Sequence, residues 1–473
     1  MTAKKLWRAA GLIFLGTALF CQAQSAVVIQ LSTSKPGATI ASDFVGLSFE
    51  MQTVLADTNG NHFFSTKNKA LIATFRTLGI KSLRVGGNTA DRPTLPTPSK
   101  ADVDELFDFA KAADVKVIYT LRLNQGSLAA DTEMANYITR HYAKRLDCFA
   151  IGNEPNVFSK DYAPYLAEWK RYAAEITAST NSPNAKFCGP STSPGHESWA
   201  GKFADELGHQ NLLAFITQHD YPGGDARKAT NAAASRDKIL STAIDEHYAK
   251  FSGGFVPSIL SNGLPYRLEE ANSFYDGGAV GVSDTFASAL WALDYQWWWA
   301  THGAGGINFH TGDRVAARDE NKPCRYAVFW TSPHGYNVHP IGYALKMFSL
   351  GGQGSLIPTQ VENTNDLNVI AYAAAPNQRT VFVTIINREH GLSGRAAEVD
   401  LNSGFSRAHA QVMFLRTTDG DIPDKKGITL GGAGIRDDTT WDGKWEHPDA
   451  STEGRFTLKL APASAALVKV TED

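Results

Sequence analysis

The strongest constraint on the fold is a repeated pattern of hydrophobicity. Between residues 44 and 350, short apolar runs alternate with longer amphipathic runs, which predicts strands alternating with helices. The predicted strands lie at 44–50, 82–87, 116–122, 149–153, 186–190, 213–220, 266–271 and 306–310. The predicted helices include 68–78, 101–113, 165–180, 236–251 and 284–302. Strands and helices in this alternation predict an α/β fold, a (β/α)8 barrel.

An open, doubly wound sheet is the alternative, because it has the same alternation. Dinucleotide-binding sheets of that kind carry G-x-G-x-x-G after an early strand. This sequence has no such motif there, and its glycine pairs at 277–278 and 305–306 are isolated. We interpret these pairs as turns, and the tryptophan run at 297–299 as core packing. The barrel is therefore the favoured fold.

After residue 351 the pattern changes to short alternating runs separated by turn residues. These runs lie at 366–375, 380–387, 398–401, 411–416 and 456–470. Alternation with a period of two is typical of antiparallel strands, so residues 352–473 predict a β-sandwich domain. The early run at 27–32 lies too far upstream to belong to the barrel. We predict that segment 24–40 supplies an N-terminal strand to the sandwich and that residues 41–351 form the barrel.

The N-terminal residues have the order of features found in a secretory signal. Lys4, Lys5 and Arg8 precede an apolar run at 9–20, which is too short to span a bilayer. Residues 21–23 then place small side chains near a cleavage position. We predict a signal peptide at 1–23 and a periplasmic or secreted protein that is not held in a membrane.

Composition excludes a nucleic-acid partner. The 473 residues carry a formal net charge of −3, and they show no stripe of lysine and arginine that would neutralise phosphates. Cys148, Cys188 and Cys324 show neither C-x-x-C nor zinc-ligand spacing, so we interpret them as buried free thiols. We expect no metal, no cofactor and a monomeric protein.

Two carboxylate positions fall at the ends of predicted strands. Glu154 follows the fourth strand, and the doublet Glu269-Glu270 ends the seventh. Barrels place functional groups at the C-terminal ends of their strands, so these side chains should face one mouth. One carboxylate alone is compatible with a helix cap or a solvated loop. Two in one cleft can act as acid and nucleophile on a glycosidic bond.

The segments IGNEPN at 151–156 and RLEEANSFYDGGAVGVSDTFASALWALD at 267–294 resemble the two catalytic segments of a known family. This is glycoside hydrolase family 79, the heparanase and β-glucuronidase family. The resemblance implies a retaining barrel enzyme with an accessory β-sandwich built partly from the N-terminus. It implies that Glu154 is the acid/base and that Glu270, five residues before Tyr275, is the nucleophile. Since neighbouring strand residues point to opposite faces, Glu269 is expected in a hydrogen-bond network instead.

The resemblance also implies substrate contacts. Asn153 would hold the sugar 2-hydroxyl, Tyr221 and then His219 would orient the nucleophile, and Glu50 and Asn88 would bind other hydroxyls. The parts of the expected pocket for the glucuronate carboxylate are Tyr275, Gly277, Gly335 and Tyr336. Asp276 stands where heparanases have glycine, and it would repel that carboxylate unless it points away.

We therefore expect a retaining exo-β-glucuronidase that acts by double displacement on β-linked glucuronic acid in glycans. A heparanase that cuts sulfated chains should line its cleft with lysine and arginine, and no basic cluster lies near the predicted loops. One alternative is a heparanase-like endo-enzyme. Another is a different retaining glycosidase, such as an arabinofuranosidase or a xylanase. The third, from a different class, is a non-catalytic glycan-binding protein.

Overall fold

The structure, a computed structural model, describes residues 26–179, 181–314 and 322–473. The predicted signal peptide at 1–23 lies outside the described residues. Two short strands, β1 (Val27–Leu31) and β2 (Thr39–Ile40), come first. The next eight strands are parallel and close into a barrel in chain order. They are β3 (Val45–Glu50), β4 (Ser82–Gly86), β5 (Lys116–Leu121), β6 (Leu146–Ile151), β7 (Phe187–Thr192), β8 (Leu213–Asp220), β9 (Tyr266–Ala271) and β10 (Ile307–His310).

The closed barrel confirms the predicted fold. Its strands are buried along almost their whole length, because helices cover the outer face while the inner side chains pack on one another. Two cysteines, Cys148 and Cys188, belong to a small buried cluster with Ala150. Cys324 is also buried, and all three thiols are free, as the sequence predicted.

The helices lie on the outside of the barrel and in its connections. They are α1 (Lys69–Leu78), α2 (Lys100–Ala113), α3 (Leu128–Tyr142), α4 (Tyr162–Ala178), α5 (Glu197–Leu207), α6 (Ala232–Leu240), α7 (Ala243–Gly253), α8 (Val256–Ser261), α9 (Phe286–Thr301) and α10 (Pro340–Gly351). Ser99 caps α2 in a reciprocal capping box with Asp102. None of the described helices combines the length and the hydrophobicity that a membrane span needs.

One helix prediction is wrong in its continuity. The range 236–251 contains two helices, α6 and α7, because the backbone turns to an extended conformation at Ser241. The prediction for 165–180 corresponds to α4, which ends at Ala178, and position 180 lies outside the described residues. Beyond the break at Ser241, the rings of Tyr248 and Phe251 in α7 pack against Trp298 and Trp299 of α9.

The C-terminal part is an antiparallel sandwich that follows a hairpin of β11 (Phe329–Ser332) and β12 (Gly335–Val338). Its remaining strands are β13 (Gly354–Ile357), β14 (Thr359–Glu362), β15 (Val369–Asn377), β16 (Thr380–Asn387), β17 (Ala397–Asn402), β18 (Ala408–Thr417), β19 (Ile428–Leu430), β20 (Ala450–Thr452), β21 (Arg455–Leu460) and β22 (Ser464–Glu472). The predicted run at 456–470 is therefore two strands, separated by a turn at 461–463.

Both ends of the chain build the sandwich. One sheet has the order β14-β1-β17-β21-β20, and the other has the order β19-β18-β22-β16-β15-β13-β2. Strand β1 runs antiparallel to β14 and parallel to β17, and β2 pairs with β13. The N-terminal strand thus joins the sandwich, as predicted from its position in the sequence.

Helix α9 fastens the sandwich to the barrel. The rings of Trp297 and Tyr372 stack at 5.7 Å between centroids, and the tryptophan run is buried, which confirms its interpretation as core. The Tyr372 hydroxyl donates to Asp294 Oδ1 at 2.7 Å, and Arg388 Nη1 donates to Asp294 Oδ2 at 3.1 Å. A buried carboxylate tolerates this position because hydrogen bonds and an opposite charge compensate for lost water.

Candidate active site

A cleft of about 500 Å³ opens at the C-terminal ends of the barrel strands. Glu154, just after β6, and Glu270, in β9, both line it. One carboxylate oxygen of each residue and one ring nitrogen of His219 all lie within 4.8 Å of one another. The structure thus brings together the two carboxylates that the sequence placed on the fourth and seventh strands.

The backbone around Glu154 turns sharply out of the strand. Gly152 has a φ of 84° and Glu154 has a φ of 47°, both in the left-handed region. A non-glycine residue in that region is uncommon and is held there by its surroundings. The Glu154 amide donates to the Ser191 carbonyl at 2.9 Å, which anchors the turn to β7. This turn directs the Glu154 side chain into the cleft.

Glu270 is held by donors from several strands. Arg84 Nη1 donates to its Oε2 at 2.5 Å, and the Tyr221 hydroxyl donates to its Oε1 at 2.8 Å. His310 Nδ1 lies 3.8 Å from Oε2, and His219 Nδ1 lies 4.0 Å from it. Burial alone would raise the pKa of Glu270, but the positive charges of His310, His219 and Arg84 hold that pKa well below its usual range. Glu270 is therefore ionised at neutral pH, as a nucleophile requires.

His219 lies between carboxylates. Its Nδ1 is 3.1 Å from Glu154 Oε1, and its Nε2 is 3.7 Å from Glu269 Oε1. Burial would lower the pKa of the ring, but the charge of Glu270 and the contacts with Glu154 and Glu269 raise the pKa to about 9. His219 is therefore an imidazolium at neutral pH.

The two residues of the doublet point in different directions, as strand alternation requires. Glu270 faces the cleft, whereas Glu269 is fully buried and accepts a short hydrogen bond from the Ser191 hydroxyl. The Sγ atom of Cys188 lies 3.9 Å from the other oxygen of Glu269. Glu269 thus belongs to an internal network, which agrees with the prediction made for it.

The three residues predicted to contact sugar hydroxyls differ in how deeply they are buried. Asn153 is buried, and its Oδ1 accepts from Arg84 Nη2 at 2.6 Å. Glu50 lines the cleft, and its Oε2 accepts from the backbone amide and the hydroxyl of Thr89 at 2.8 and 2.6 Å. Asn88 is exposed at the rim of the cleft. Glu50 and Asn88 are therefore accessible to a ligand, whereas Asn153 does not line the cleft and instead holds Arg84.

Tyr275 and Gly277 line the cleft, and Asp276 between them is balanced by cations. The Asp276 carboxylate lies 3.5 Å from Arg227 Nε and 3.5 Å from Lys322 Nζ. These two positive charges offset the repulsion that an isolated Asp276 would exert on a bound carboxylate.

Two predicted residues, Gly335 and Tyr336, do not line the cleft, so this prediction is wrong. The Tyr336 amide donates to the Asp437 carbonyl at 2.8 Å, and its hydroxyl accepts from Asn68 Nδ2 at 2.7 Å. The hairpin that carries both residues packs against α1 instead of the barrel mouth. An aromatic residue from the segment between β10 and β11 does line the cleft: this is Tyr326, ten residues before Tyr336 in the sequence.

The sequence has no basic cluster near the predicted loops, but the folded chain brings basic residues to the cleft. Arg92, Arg227 and Arg314 line the cleft, each from a different loop. Because these arginines are far apart in the sequence, they form no local cluster from which a basic cleft could be predicted. Arg84 and His310 were missed as well, although a charged residue inside an apolar strand and a histidine at a strand end are detectable signals.

Glu154, His219 and Glu270 are also the one group in the described residues whose donor atoms are close enough to hold a metal ion. A metal-binding histidine must offer a lone pair, and an imidazolium has none. The high pKa of His219 therefore favours acid–base chemistry over metal binding at this site.

Comparison with known proteins identifies relatives of one kind. No family model matches the sequence. A β-glucuronidase of Aspergillus niger is 23% identical over 361 residues, which are 64% of this chain and 63% of that enzyme. A β-glucuronidase of Neurospora crassa is 24% identical over 191 residues, 36% of this chain and 34% of that enzyme. The chain thus spans less than two thirds of these relatives, and they confirm the resemblance to β-glucuronidases.

Solved structures confirm the fold over nearly the whole chain. A 4-O-α-L-rhamnosyl-β-D-glucuronidase from Fusarium oxysporum superposes with a TM-score of 0.70 at 20% identity, covering 93% of this chain and 99% of that one. A family 51 arabinofuranosidase from Xanthomonas axonopodis pv. citri also gives a TM-score of 0.70, at 14% identity, covering 94% of this chain and 100% of that one. The fold is therefore shared by glycosidases with different substrates.

Proposed function

We propose that this protein is a retaining glycoside hydrolase that releases β-linked glucuronic acid. The observation that carries the proposal is the approach of Glu154 and Glu270 oxygens to within 4.8 Å across the cleft. Retaining glycosidases have carboxyl groups about 5–5.5 Å apart, whereas inverting enzymes leave about 6.5–9.5 Å for a water molecule. The short separation supports double displacement.

In the first step, a Glu270 oxygen attacks C1 of the sugar and forms a covalent ester. The C1–O bond to the leaving group breaks, and Glu154 transfers its proton to the departing oxygen. Arg84 and Tyr221 position the attacking carboxylate through the bonds at 2.5 and 2.8 Å. These hydrogen bonds orient Glu270, which is already ionised, for attack on C1.

In the second step, Glu154 acts as a base. Its carboxylate removes a proton from water while the water oxygen bonds to C1, and the C1–Oε bond to Glu270 breaks. Two inversions at C1 give net retention. The same residue serves as acid and then as base because its proton is lost in the first step and regained in the second.

Glucuronate recognition is supported by the names of the two sequence relatives and by the lining of the cleft. We assign the sugar carboxylate to the wall of Tyr275, Gly277 and Tyr326, and Arg92 and Arg314 add positive charge to the cleft. We propose exo action on a terminal glucuronic acid of a glycan. We also propose that segment 1–23 directs the protein to the periplasm or outside the cell, where it acts as a monomer.

The test compares hydrolysis of aryl β-D-glucuronide, aryl β-D-glucoside and aryl α-L-arabinofuranoside by the purified protein. We expect strong preference for the glucuronide, and NMR of the first product should show the β-anomer. Glu270→Gln should lower kcat by about 10³-fold or more. With azide, Glu154→Ala should form the β-glucuronyl azide, because a small anion needs no base.

Other outcomes separate the alternatives. Preference for the arabinofuranoside or the glucoside would contradict the glucuronidase proposal while keeping the catalytic pair. An α-anomer as first product would contradict retention. Hydrolysis of a glucuronate-containing polysaccharide without hydrolysis of the aryl glucuronide would indicate an endo-enzyme. Glycan binding without turnover, unchanged in Glu270→Gln, would indicate a binding protein.

A further inference from the structure

Glu269 is a buried carboxylate without a part in the proposed reaction. It is fully buried, accepts a short hydrogen bond from the Ser191 hydroxyl, and lies against Cys188. A buried carboxylate without opposite charge is costly, so its position requires a compensating cation. Two cationic groups compensate it: the ring of His219, at 3.7 Å, and the buried guanidinium of Arg84, whose charge also lowers the pKa of Glu269.

The surroundings of His219 determine how many protons the ring carries. Glu154 faces Nδ1 from the loop after β6, and Glu269 faces Nε2 from β9. Glu270 also approaches from β9, at 4.0 Å, and Arg84 from β4 opposes these charges. With a carboxylate on each side, a hydrogen on either ring nitrogen points toward negative charge; Nδ1 is within hydrogen-bond distance of Glu154, whereas Nε2 interacts with Glu269 through charge alone.

We propose that Glu269 is a positioning residue that keeps His219 doubly protonated, so that His219 orients Glu154 for proton donation. The inference rests on the function proposed above. The Nδ1–H group of His219 donates a hydrogen bond to Oε1 of Glu154. The other oxygen, Oε2, is then the one that carries the proton to the leaving oxygen. The proton moves from Glu154 to the glycosidic oxygen, and His219 keeps both of its protons.

The arrangement favours the state that follows proton transfer. Once Glu154 has become a carboxylate, the bond from the imidazolium is charge-assisted on both sides and therefore stronger. Without a charge at residue 269, the imidazolium loses one of its counter-charges, and the ring becomes easier to deprotonate. Glu269 thus acts on the reaction through His219, without touching the substrate.

The test uses Glu269→Gln in the full chain, which keeps the shape and removes the charge. NMR of the His219 ring should show its titration midpoint lowered by about one pH unit or more. The high-pH limb of the kcat/KM profile should move to lower pH in parallel, with less than about tenfold loss at the optimum. A titration midpoint and pH limb that both match the unmodified protein would overturn the proposal.

Two further variants separate charge from structure. Glu269→Asp retains the negative charge, so its pH limb should stay close to that of the unmodified protein. Asp147→Asn removes a partly buried carboxyl at the opposite end of the barrel from the cleft, and it should leave the His219 titration unchanged. A shift of similar size in Asp147→Asn would show that any buried charge has this effect, and it would overturn a specific role for Glu269.

The two proposals can fail separately. NMR reports the ring without substrate, so it remains informative even if no glucuronide is hydrolysed. In the unmodified protein at pH 7.5, both His219 nitrogens should be protonated by their ¹⁵N shifts. A neutral ring at that pH would overturn the role of Glu269 even if Glu269→Gln failed to fold.

Discussion

The ionisation of Glu270 depends on residues far from it in the sequence. Its Oε2 accepts from Arg84, which is completely buried and also holds Asn153 through its second terminal nitrogen. A planar guanidinium with two donating nitrogens can position both partners at once, whereas an ammonium on a flexible chain cannot. The shape of Arg84 is therefore as important as its charge.

Replacing Arg84 by lysine should damage catalysis. We expect Arg84→Lys to lower kcat/KM for an aryl glucuronide by about 10²-fold or more, because both short hydrogen bonds lose their geometry. Since Arg84 helps to keep the pKa of Glu270 low, a weaker contact should raise that pKa and move the acidic limb of the pH profile upward. Steady-state kinetics between pH 3 and pH 8 measures both effects.

Arg145→Lys is the matched control, because Arg145 pairs with the exposed Asp114 on the barrel surface. It should leave the profile unchanged, as surface ion pairs contribute little. Equal losses in the two variants would contradict the special position of Arg84.

Among the helices and strands, the alternation of apolar and amphipathic runs was sufficient to predict the barrel. Each predicted barrel strand overlaps an observed one, because parallel strands are buried on both faces and stand out as apolar runs. Connections were less predictable. The segment after β10 places Tyr326 in the cleft and Tyr336, in β12, outside it. Its course depends on tertiary contacts such as that with Asp437.

The residues of the candidate active site also divide into those that the sequence predicts and those that it does not. Glu154 and the doublet Glu269-Glu270 could be predicted because each sits at the end of a strand, and the family resemblance then singled out Glu270. The partners that keep Glu270 ionised, Arg84 and His310, come from strands distant in sequence, and only the closure of the barrel brings them to it. A pKa depends on distances of a few ångströms, which a one-dimensional pattern does not contain.

Helix α3 carries a carboxyl that opposes folding at alkaline pH. Asp131 is buried, and burial raises its pKa to about 7 despite the nearby Arg122. For an acid with a raised pKa in the folded state, stability falls as the pH rises from about 4 toward 7. Asp131→Asn should therefore raise the free energy of unfolding at pH 8 by about 1–2 kcal/mol and have little effect at pH 4.

Urea unfolding at the two pH values measures the Asp131→Asn difference. Activity serves as the control, because Asp131 lies outside the cleft. A variant that is equally destabilised at both pH values would show that a lost hydrogen bond outweighs the charge.

At the scale of the whole molecule, one buried network links barrel and sandwich. Asp294 on α9 bonds to Tyr372 and Arg388 of the sandwich at 2.7 and 3.1 Å. Since an unsatisfied buried acceptor is costly, Tyr372→Phe should lower the free energy of unfolding by about 1–2 kcal/mol. Thermal unfolding measures this loss, and catalysis by the folded variant should be retained.

Tyr137→Phe is the matched control for the interface. The Tyr137 hydroxyl also donates to a carboxylate at 2.7 Å, that of Asp104, but at a partly exposed site. Water can replace that bond, so the loss should be below about 0.5 kcal/mol. Equal losses in the two tyrosine variants would show that the network between barrel and sandwich has no special weight.

The participation of β1 in the sandwich has a consequence for how the chain is made. Val27 is synthesised early, yet it pairs with Val399, and Leu31 pairs with Thr359. All the barrel strands are synthesised in the interval, so the barrel can close while β1 remains an apolar strand without its neighbours. An unpaired strand of this kind invites association with other chains. Translation that stalls before residue 402 should thus yield aggregates, and a chaperone that shields the first strand should increase the yield of folded protein.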